Sequence, residues 1–120
     1  MNTQINSYLT QAHQAIENLD YAEAVVFFLM AEDMGSIEAK IGLAALCIGG
    51  YYQPDDLVIG LYAEKKLLQV IENKLAPRNL VALALNNLAS LYATGADGLV
   101  VDMQKSIEAA NRAEILGFPS

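Results

Sequence analysis

Apolar residues recur at intervals of three and four along the whole chain, and this spacing predicts α-helices. Strand signals are weak, because alternating runs of Val, Ile and Thr between turn residues are missing. The first predicted helix is marked by one apolar stripe, made of Ile5, Tyr8, Leu9, Ala12, Ile16 and Leu19. Five further helical segments are predicted over about 21–34, 36–48, 57–75, 79–94 and 103–116. The predicted fold is therefore all-α, with about six antiparallel helices joined by short loops.

Helix boundaries are marked by capping and breaking residues. Asp20 and Asp102 are the expected N-caps of the second and sixth helices, and Asp55 or Asp56 is the expected N-cap of the fourth. Pro77 interrupts the chain between the fourth and fifth helices. Carboxylates at these positions are expected to cap helices rather than to act as acid and base.

The predicted helices repeat. The second and sixth share five positions at equal separations, which are Asp20, Ala24, Ala31, Glu32 and Gly35 against Asp102, Ser106, Ala113, Glu114 and Gly117. The third and fifth agree at an offset of 45, with Ala39, Leu43, Ala44, Leu46 and Gly50 against Ala84, Leu88, Ala89, Leu91 and Gly95. The fourth helix is divergent, and has Gly60 where the second has Ala24. We predict one domain over 1–120, a short α-solenoid of three stacked hairpins over about 4–35, 36–75 and 76–117.

The last hairpin carries a family resemblance. Residues 84–95, followed by 98–106 and by Ala113, Glu114 and Gly117, resemble a Sel-one-like repeat of the tetratricopeptide superfamily. Ala89 and Ser106 depart from that pattern, each by a small residue in place of another. Residues 39–74 match mainly in their first helix, and residues 8–35 resemble a tetratricopeptide unit. The resemblance implies hairpins whose first helices line a concave groove where peptides commonly dock.

By this resemblance, Ala12, Ala44 and Ala89 occupy the small packing position of the three first helices, and this position defines which residues face the groove. The residues expected to face it are Asn6, Leu9, His13, Ile16, Glu38, Ile41, Ala45, Ile48, Leu83, Asn86, Ser90 and Ala93. This lining has no Lys or Arg, so it cannot clamp a peptide carboxylate, and an apolar helix or extended segment suits it better. The alternative is that apolar residues of a first helix belong to the core.

Composition and charge narrow the function classes. Hydrophobic residues make up 54% and charged residues 18% of the chain, which excludes intrinsic disorder. Seven Lys and Arg against 14 Asp and Glu give a net charge of −7, so neither nucleic acid nor an anionic membrane surface is an expected partner. The uncharged stretch 79–96 contains Asn86 and Asn87, and predicts a buried helix rather than a membrane span. With one cysteine and no visible signal peptide, the expected location is the cytoplasm.

Few residues of the sequence are suited to catalysis. His13 is the only histidine and is expected at the surface, and Cys47 lies in an apolar helical run without a nearby cation. No spacing of His, Cys or carboxylates suits a metal, and we predict no catalytic residue and no cofactor. Tyr51 and Tyr52 are open to two interpretations, an exposed aromatic anchor or a turn that packs back onto the next hairpin.

Three function classes follow. The favoured one is a non-enzymatic adaptor or scaffold that binds a protein or peptide through the groove, and one version is an acidic immunity or inhibitor protein that neutralises a basic toxin or effector. A small hydrolase is the least favoured. The third class is a subunit of an assembly, for instance a homodimer formed through the sixth helix. The apolar surface of that helix is larger than one neighbouring hairpin can bury, and it is formed by Met103, Ile107, Ala110, Ile115 and Leu116. The alternative there is that Phe118 folds back as a cap.

Overall fold

The computed structural model describes residues 3–54 and 58–117, which form six α-helices joined by short turns. The helices are α1 (Thr3–Glu17), α2 (Tyr21–Asp33), α3 (Ile37–Ile48), α4 (Ile59–Glu72), α5 (Arg78–Thr94) and α6 (Met103–Ile115). The all-α prediction with six helices is confirmed.

Side-chain caps start three of the helices. Asp20 and Asp102 accept hydrogen bonds from the backbone N–H groups of Glu23 and Lys105, each at 3.1 Å, as predicted. The Ser36 hydroxyl accepts one from the backbone N–H of Ala39 and caps α3 in the same way.

The predicted fourth helix is too long at both ends. Val58 holds the N-cap position of α4 without a side-chain hydrogen bond, and the predicted caps Asp55 and Asp56 lie outside the described residues. At the other end α4 stops at Glu72, because the Asn73 side chain accepts a hydrogen bond from the backbone N–H of Leu75 at 2.9 Å. Such a local turn competes with continuation of the helix.

The turn between α1 and α2 corrects another prediction. Leu19 does not extend the buried stripe of α1, since the helix ends at Glu17 and the Leu19 side chain is 71% exposed. Its φ is +60°, and the backbone N–H groups of Leu19 and Asp20 donate to the carbonyls of Ile16 and Ala15. This bonding is the Schellman pattern of a helix end, which normally places glycine where Leu19 stands.

Helices that follow one another along the chain pack as hairpins. Contacts join α1 with α2, α3 with α4 and α5 with α6, and further contacts join α2 with α3, α4 with α5 and α3 with α5. Three apolar clusters fill the space between them. The first lies around Phe28 between α1, α2 and α3, the second around Leu67 and Leu91 between α3, α4 and α5, and the third between α5 and α6.

The repeated positions of the sequence have equivalent surroundings. Buried residues occupy both members of each pair offset by 45 between α3 and α5, namely Ala39 and Ala84, Leu43 and Leu88, Ala44 and Ala89, and Leu46 and Leu91. Between α2 and α6 the small residues Ala24 and Ser106 are also both buried. The Ser106 hydroxyl donates to the Ala89 carbonyl at 2.8 Å, which satisfies the polar group introduced at this position.

Gly60 explains how the divergent α4 fits the loop between α5 and α6. Its backbone N–H donates to the Asp97 carbonyl at 2.9 Å. A Cβ at this position would lie 2.6 Å from that oxygen and 2.8 Å from Leu99 Cβ. Only glycine lets the loop approach α4 this closely, which explains why α4 has Gly60 where α2 has Ala24.

Candidate functional site

The first helices of the three hairpins, α1, α3 and α5, carry the residues predicted to bind a partner. We call these residues, without the buried Ile41, the first-helix face. One polar contact joins α1 to α3, where His13 Nε2 lies 3.2 Å from Glu38 Oε2. The His13 ring also meets the buried Phe28 ring edge-on, with 5.6 Å between centroids. This pair links the first and second hairpins at the surface, and it brings together two of the predicted residues.

The remaining predicted residues differ in exposure. Ala45 and Ser90 are exposed, and they are equivalent positions of α3 and α5, offset by 45. The others on this face are half-buried, and they are Leu9, Ile16, Ile48, Leu83, Asn86 and Ala93, while Asn6 is exposed. Leu9 and Ile16 contact the first cluster, and Ile48 and Leu83 contact the second.

Ile41 does not belong to this face. Its side chain is 3% exposed and packs in the second cluster with Ala44, Leu88 and Tyr92. The prediction that Ile41 faces the groove is therefore wrong. Its position on α3 points between α4 and α5, so a charge introduced there would disrupt the core rather than a binding surface.

A partly buried ion cluster joins α2 of the first hairpin to α3 and α4 of the second. The Glu32 carboxylate on α2 accepts hydrogen bonds from Lys40 on α3, at 3.2 Å, and from Lys66 on α4. Lys40 also donates to the Gln69 side chain at 3.2 Å. Burial raises the pKa of Glu32, but the hydrogen bonds and charges of Lys66 and Lys40 outweigh it and hold the pKa below its ordinary value.

A second polar cluster joins the last two hairpins. Tyr92 on α5 donates to the Glu64 carboxylate on α4 at 2.7 Å, and the Lys105 ammonium of α6 lies 5.4 Å from the centre of the Tyr92 ring. Burial, and then the Glu64 carboxylate, raise the pKa of the Tyr92 hydroxyl above its ordinary value. The phenol stays protonated at neutral pH and serves as a hydrogen-bond donor.

Cys47 has the core position predicted for it. Its side chain is buried in the second cluster, and burial raises the pKa of the thiol to about 11. A thiol with that pKa is almost entirely protonated at pH 7 and is a poor nucleophile. Within residues 3–54 and 58–117, no group of three or more His, Cys, Asp or Glu side chains is placed to hold a metal ion.

The two tyrosines after α3 differ, since one packs against the hairpins and the other is exposed. Tyr52 is half-buried, contacts the first and second clusters, and meets the Tyr62 ring edge-on with 6.0 Å between centroids. Tyr51 is more than half exposed and stacks on Tyr21 with 3.9 Å between centroids. Tyr52 therefore packs back against the hairpins, while Tyr51 stays exposed to solvent beside Tyr21.

The sequence-based prediction missed the outward side of α2. Its signal was nevertheless present, because α2 has large apolar residues on two opposite sides and its charges only at Glu23, Glu32 and Asp33, whereas a surface helix normally has a polar side. Charge gave a second signal. Residues 1–39 contain six of the 14 acidic residues and none of the seven Lys and Arg, so they account for −6 of the net charge of −7.

Comparison of the chain with family models, with curated proteins and with solved structures found no match. Among the described residues, none of the helices combines the length and apolar character that crossing a membrane requires.

Proposed function

We propose that this protein is a non-enzymatic interaction module of the Sel-one-like kind, which binds a protein or peptide segment along the first-helix face. One observation carries the proposal. Ala45 and Ser90 are equivalent, small and exposed on two first helices that pack directly against each other. Half-buried Ile48 and Leu83 lie on the same face. A bound segment would find space over the small residues and apolar contact beside them, which suits an apolar helix or an extended chain.

The polar residues of this face would orient the segment. Asn86 and Glu38 are half-buried and keep part of their side chains open, so they offer hydrogen bonds at defined points of an otherwise apolar surface. A few placed polar groups of this kind fix the register of a ligand, while apolar contact supplies most of the affinity.

The test uses an arginine in place of a small residue. The chain is immobilised, captured proteins are identified, and each is purified and titrated by calorimetry against wild type, Ala45→Arg and Ala110→Arg. Ala110 is an exposed alanine of α6 and provides the matched control. We expect a one-to-one complex that Ala45→Arg weakens by about tenfold or more through steric conflict, and that Ala110→Arg leaves unchanged. Equal affinity for all three proteins would show that the first-helix face is not the binding surface.

The uneven charge favours a second candidate, an acidic immunity or inhibitor protein that covers a basic toxin or effector. The first 39 residues hold a formal charge of −6, and a charge of that density steers a cationic partner to its surface. For this function the association rate should fall steeply with added salt, and stopped-flow mixing with the captured partner measures it. A rate independent of salt would contradict this second candidate.

A further inference from the structure

The helix α2 is apolar on two opposite sides. Its inner side is buried in the first cluster through Ala24, Val25, Phe28 and Ala31. Its outer side presents Val26, Leu29, Met30 and Met34, each between 39% and 53% exposed. Val26, Met30 and Met34 follow one another at intervals of four, and Leu29 lies three residues after Val26, so the four residues form one continuous stripe. Together with Glu23 and Asp33 at its two ends, this stripe is named the α2 outer face.

The α2 outer face is open to solvent along its length. Leu29, Met30, Glu32 and Asp33 line a shallow depression of about 430 Å³ on it. Contiguous apolar surface of this kind on a folded protein marks an interaction site more often than chance exposure does. Flexible methionine side chains adapt to partners of varied shape, and two of the four apolar residues here are methionines.

All charged residues from Glu17 to Asp33 are acidic. Glu23 and Asp33 are exposed, and Glu17 and Asp20 lie just before the start of α2. Lys40 and Lys66 both contact Glu32, whose single carboxylate offsets one of their two charges and leaves this cluster at +1. By contrast α6, which also exposes large apolar residues, interleaves them with Lys105 and Arg112 and with acidic residues. Glu17, Asp20, Glu23 and Asp33 carry a formal charge of −4 against the +1 of the ion cluster, so the charge around the α2 outer face is predominantly negative.

We propose that the α2 outer face binds a cationic amphipathic helix of a partner protein. Apolar side chains of that helix would cover Val26, Leu29 and Met30, and its Lys or Arg residues would reach Glu23 and Asp33. A second copy of this chain does not fit. Antiparallel pairing of two α2 helices would oppose Glu23 to Asp33, and parallel pairing would oppose each acid to itself, so both arrangements bring like charges together. This surface belongs to a second helix and is separate from the first-helix face.

A synthetic peptide serves as the probe. A fluorescein-labelled helix of about 14 residues matches the roughly 20 Å length of α2, with Leu at intervals of three and four and Lys elsewhere. Its counterpart has Glu in place of every Lys. Titration by fluorescence anisotropy at low salt should show binding of the Lys peptide, and affinity at least about tenfold weaker for the Glu peptide.

Two pairs of variants locate the binding. Met30→Ser should weaken binding of the Lys peptide about fivefold or more, and Leu61→Ser on α4, which is more exposed than Met30, should not. Reversal of Glu23 and Asp33 to Lys should weaken it about tenfold, whereas reversal of Glu108 and Glu114 to Lys changes net charge by the same amount and should have little effect. All four variants alter exposed residues, and circular dichroism confirms that each keeps its helical content.

Several results would overturn the proposal. Failure of the Lys peptide to bind the wild type would be one such result, and an unchanged affinity of Met30→Ser would be another. Equal losses of affinity in the two charge-reversed proteins would be a third, because net charge alone would then attract the peptide. A further one is a dimer of the free chain that Met30→Ser dissociates in sedimentation, because a second copy would then cover the face. Retention of peptide binding by Ala45→Arg would support a surface independent of the first-helix face.

Discussion

Replacement of Glu32 by glutamine tests whether the ion cluster couples the first two hairpins. The substitution keeps the size and a hydrogen-bonding oxygen, but it removes the charge that Lys40 and Lys66 share. The side chains of Glu32, Lys66 and Lys40 are 15%, 18% and 29% exposed, so the cluster lies between a surface ion pair and a fully buried one. Breaking a surface pair costs about 0 to 1 kcal/mol and breaking a buried one about 3 to 5 kcal/mol. We expect Glu32→Gln to lower the free energy of unfolding by about 2 kcal/mol at pH 7.

The pH dependence gives the sharper test. The pKa of Glu32 is lowered in the folded protein, so the folded state binds its proton less readily than the unfolded state does. Stability from this group is complete above the unfolded pKa, near 4.5, and is lost as the pH falls through the folded pKa. Urea unfolding of wild type and Glu32→Gln from pH 7 to pH 2 should therefore show a difference that is largest at pH 7 and shrinks in acid.

Glu114→Gln provides the matched control, because Glu114 is exposed on α6 and forms no ion pair in the described structure. We expect it to change stability by less than about 0.5 kcal/mol at any pH. A difference between wild type and Glu32→Gln that stays the same from pH 7 to pH 2 would refute the reasoning, since the effect would then come from packing rather than from charge.

Three further predictions concern backbone conformation, close packing and association. Leu19→Gly should raise the free energy of unfolding, measured by urea titration, by about 0.5 to 1 kcal/mol. The reason is that the exposed Leu19 is strained at a φ of +60°, whereas glycine is not. A loss of stability would contradict this prediction. Gly60→Ala should lower it by about 2 kcal/mol despite the higher helix propensity of alanine, because the new Cβ would meet the Asp97 carbonyl at 2.6 Å; a neutral result would show that the loop moves aside freely. We also propose self-association through the exposed α6 residues, so sedimentation velocity up to near-millimolar protein should show a dimer that Ile107→Glu abolishes, and a strictly monomeric wild type would exclude it.

Helix positions were predictable because local signals agreed with the packing. Asp20 and Asp102 have the residue type and spacing of N-caps, and the structure uses both in that way. The fourth helix was placed less well. Its predicted start relied on Asp55 and Asp56 alone. Its end depends on a turn formed by the Asn73 side chain, and apolar spacing does not predict such a turn.

The binding surface was predicted less completely than the fold. Ile41, Ala45 and Ile48 share one side of α3 by spacing, yet Ile41 is in the core because α5 packs against that side. Spacing defines the side of a helix, but only the neighbouring helix decides how much of it is covered. The α2 outer face was not predicted for the converse reason, since the apolar spacing does not show that no helix covers residues such as Val26.

The third apolar cluster has a consequence for local unfolding. Its buried residues are Leu85 and three alanines, Ala89, Ala109 and Ala113, so α6 contributes far less buried apolar surface than the helices around Phe28 or Leu67. In the described structure α6 also makes its principal helix contacts with α5 alone. Opening of α6 therefore requires less free energy than global unfolding, and its amide protons should exchange with solvent before those of α3 while the rest of the chain stays folded.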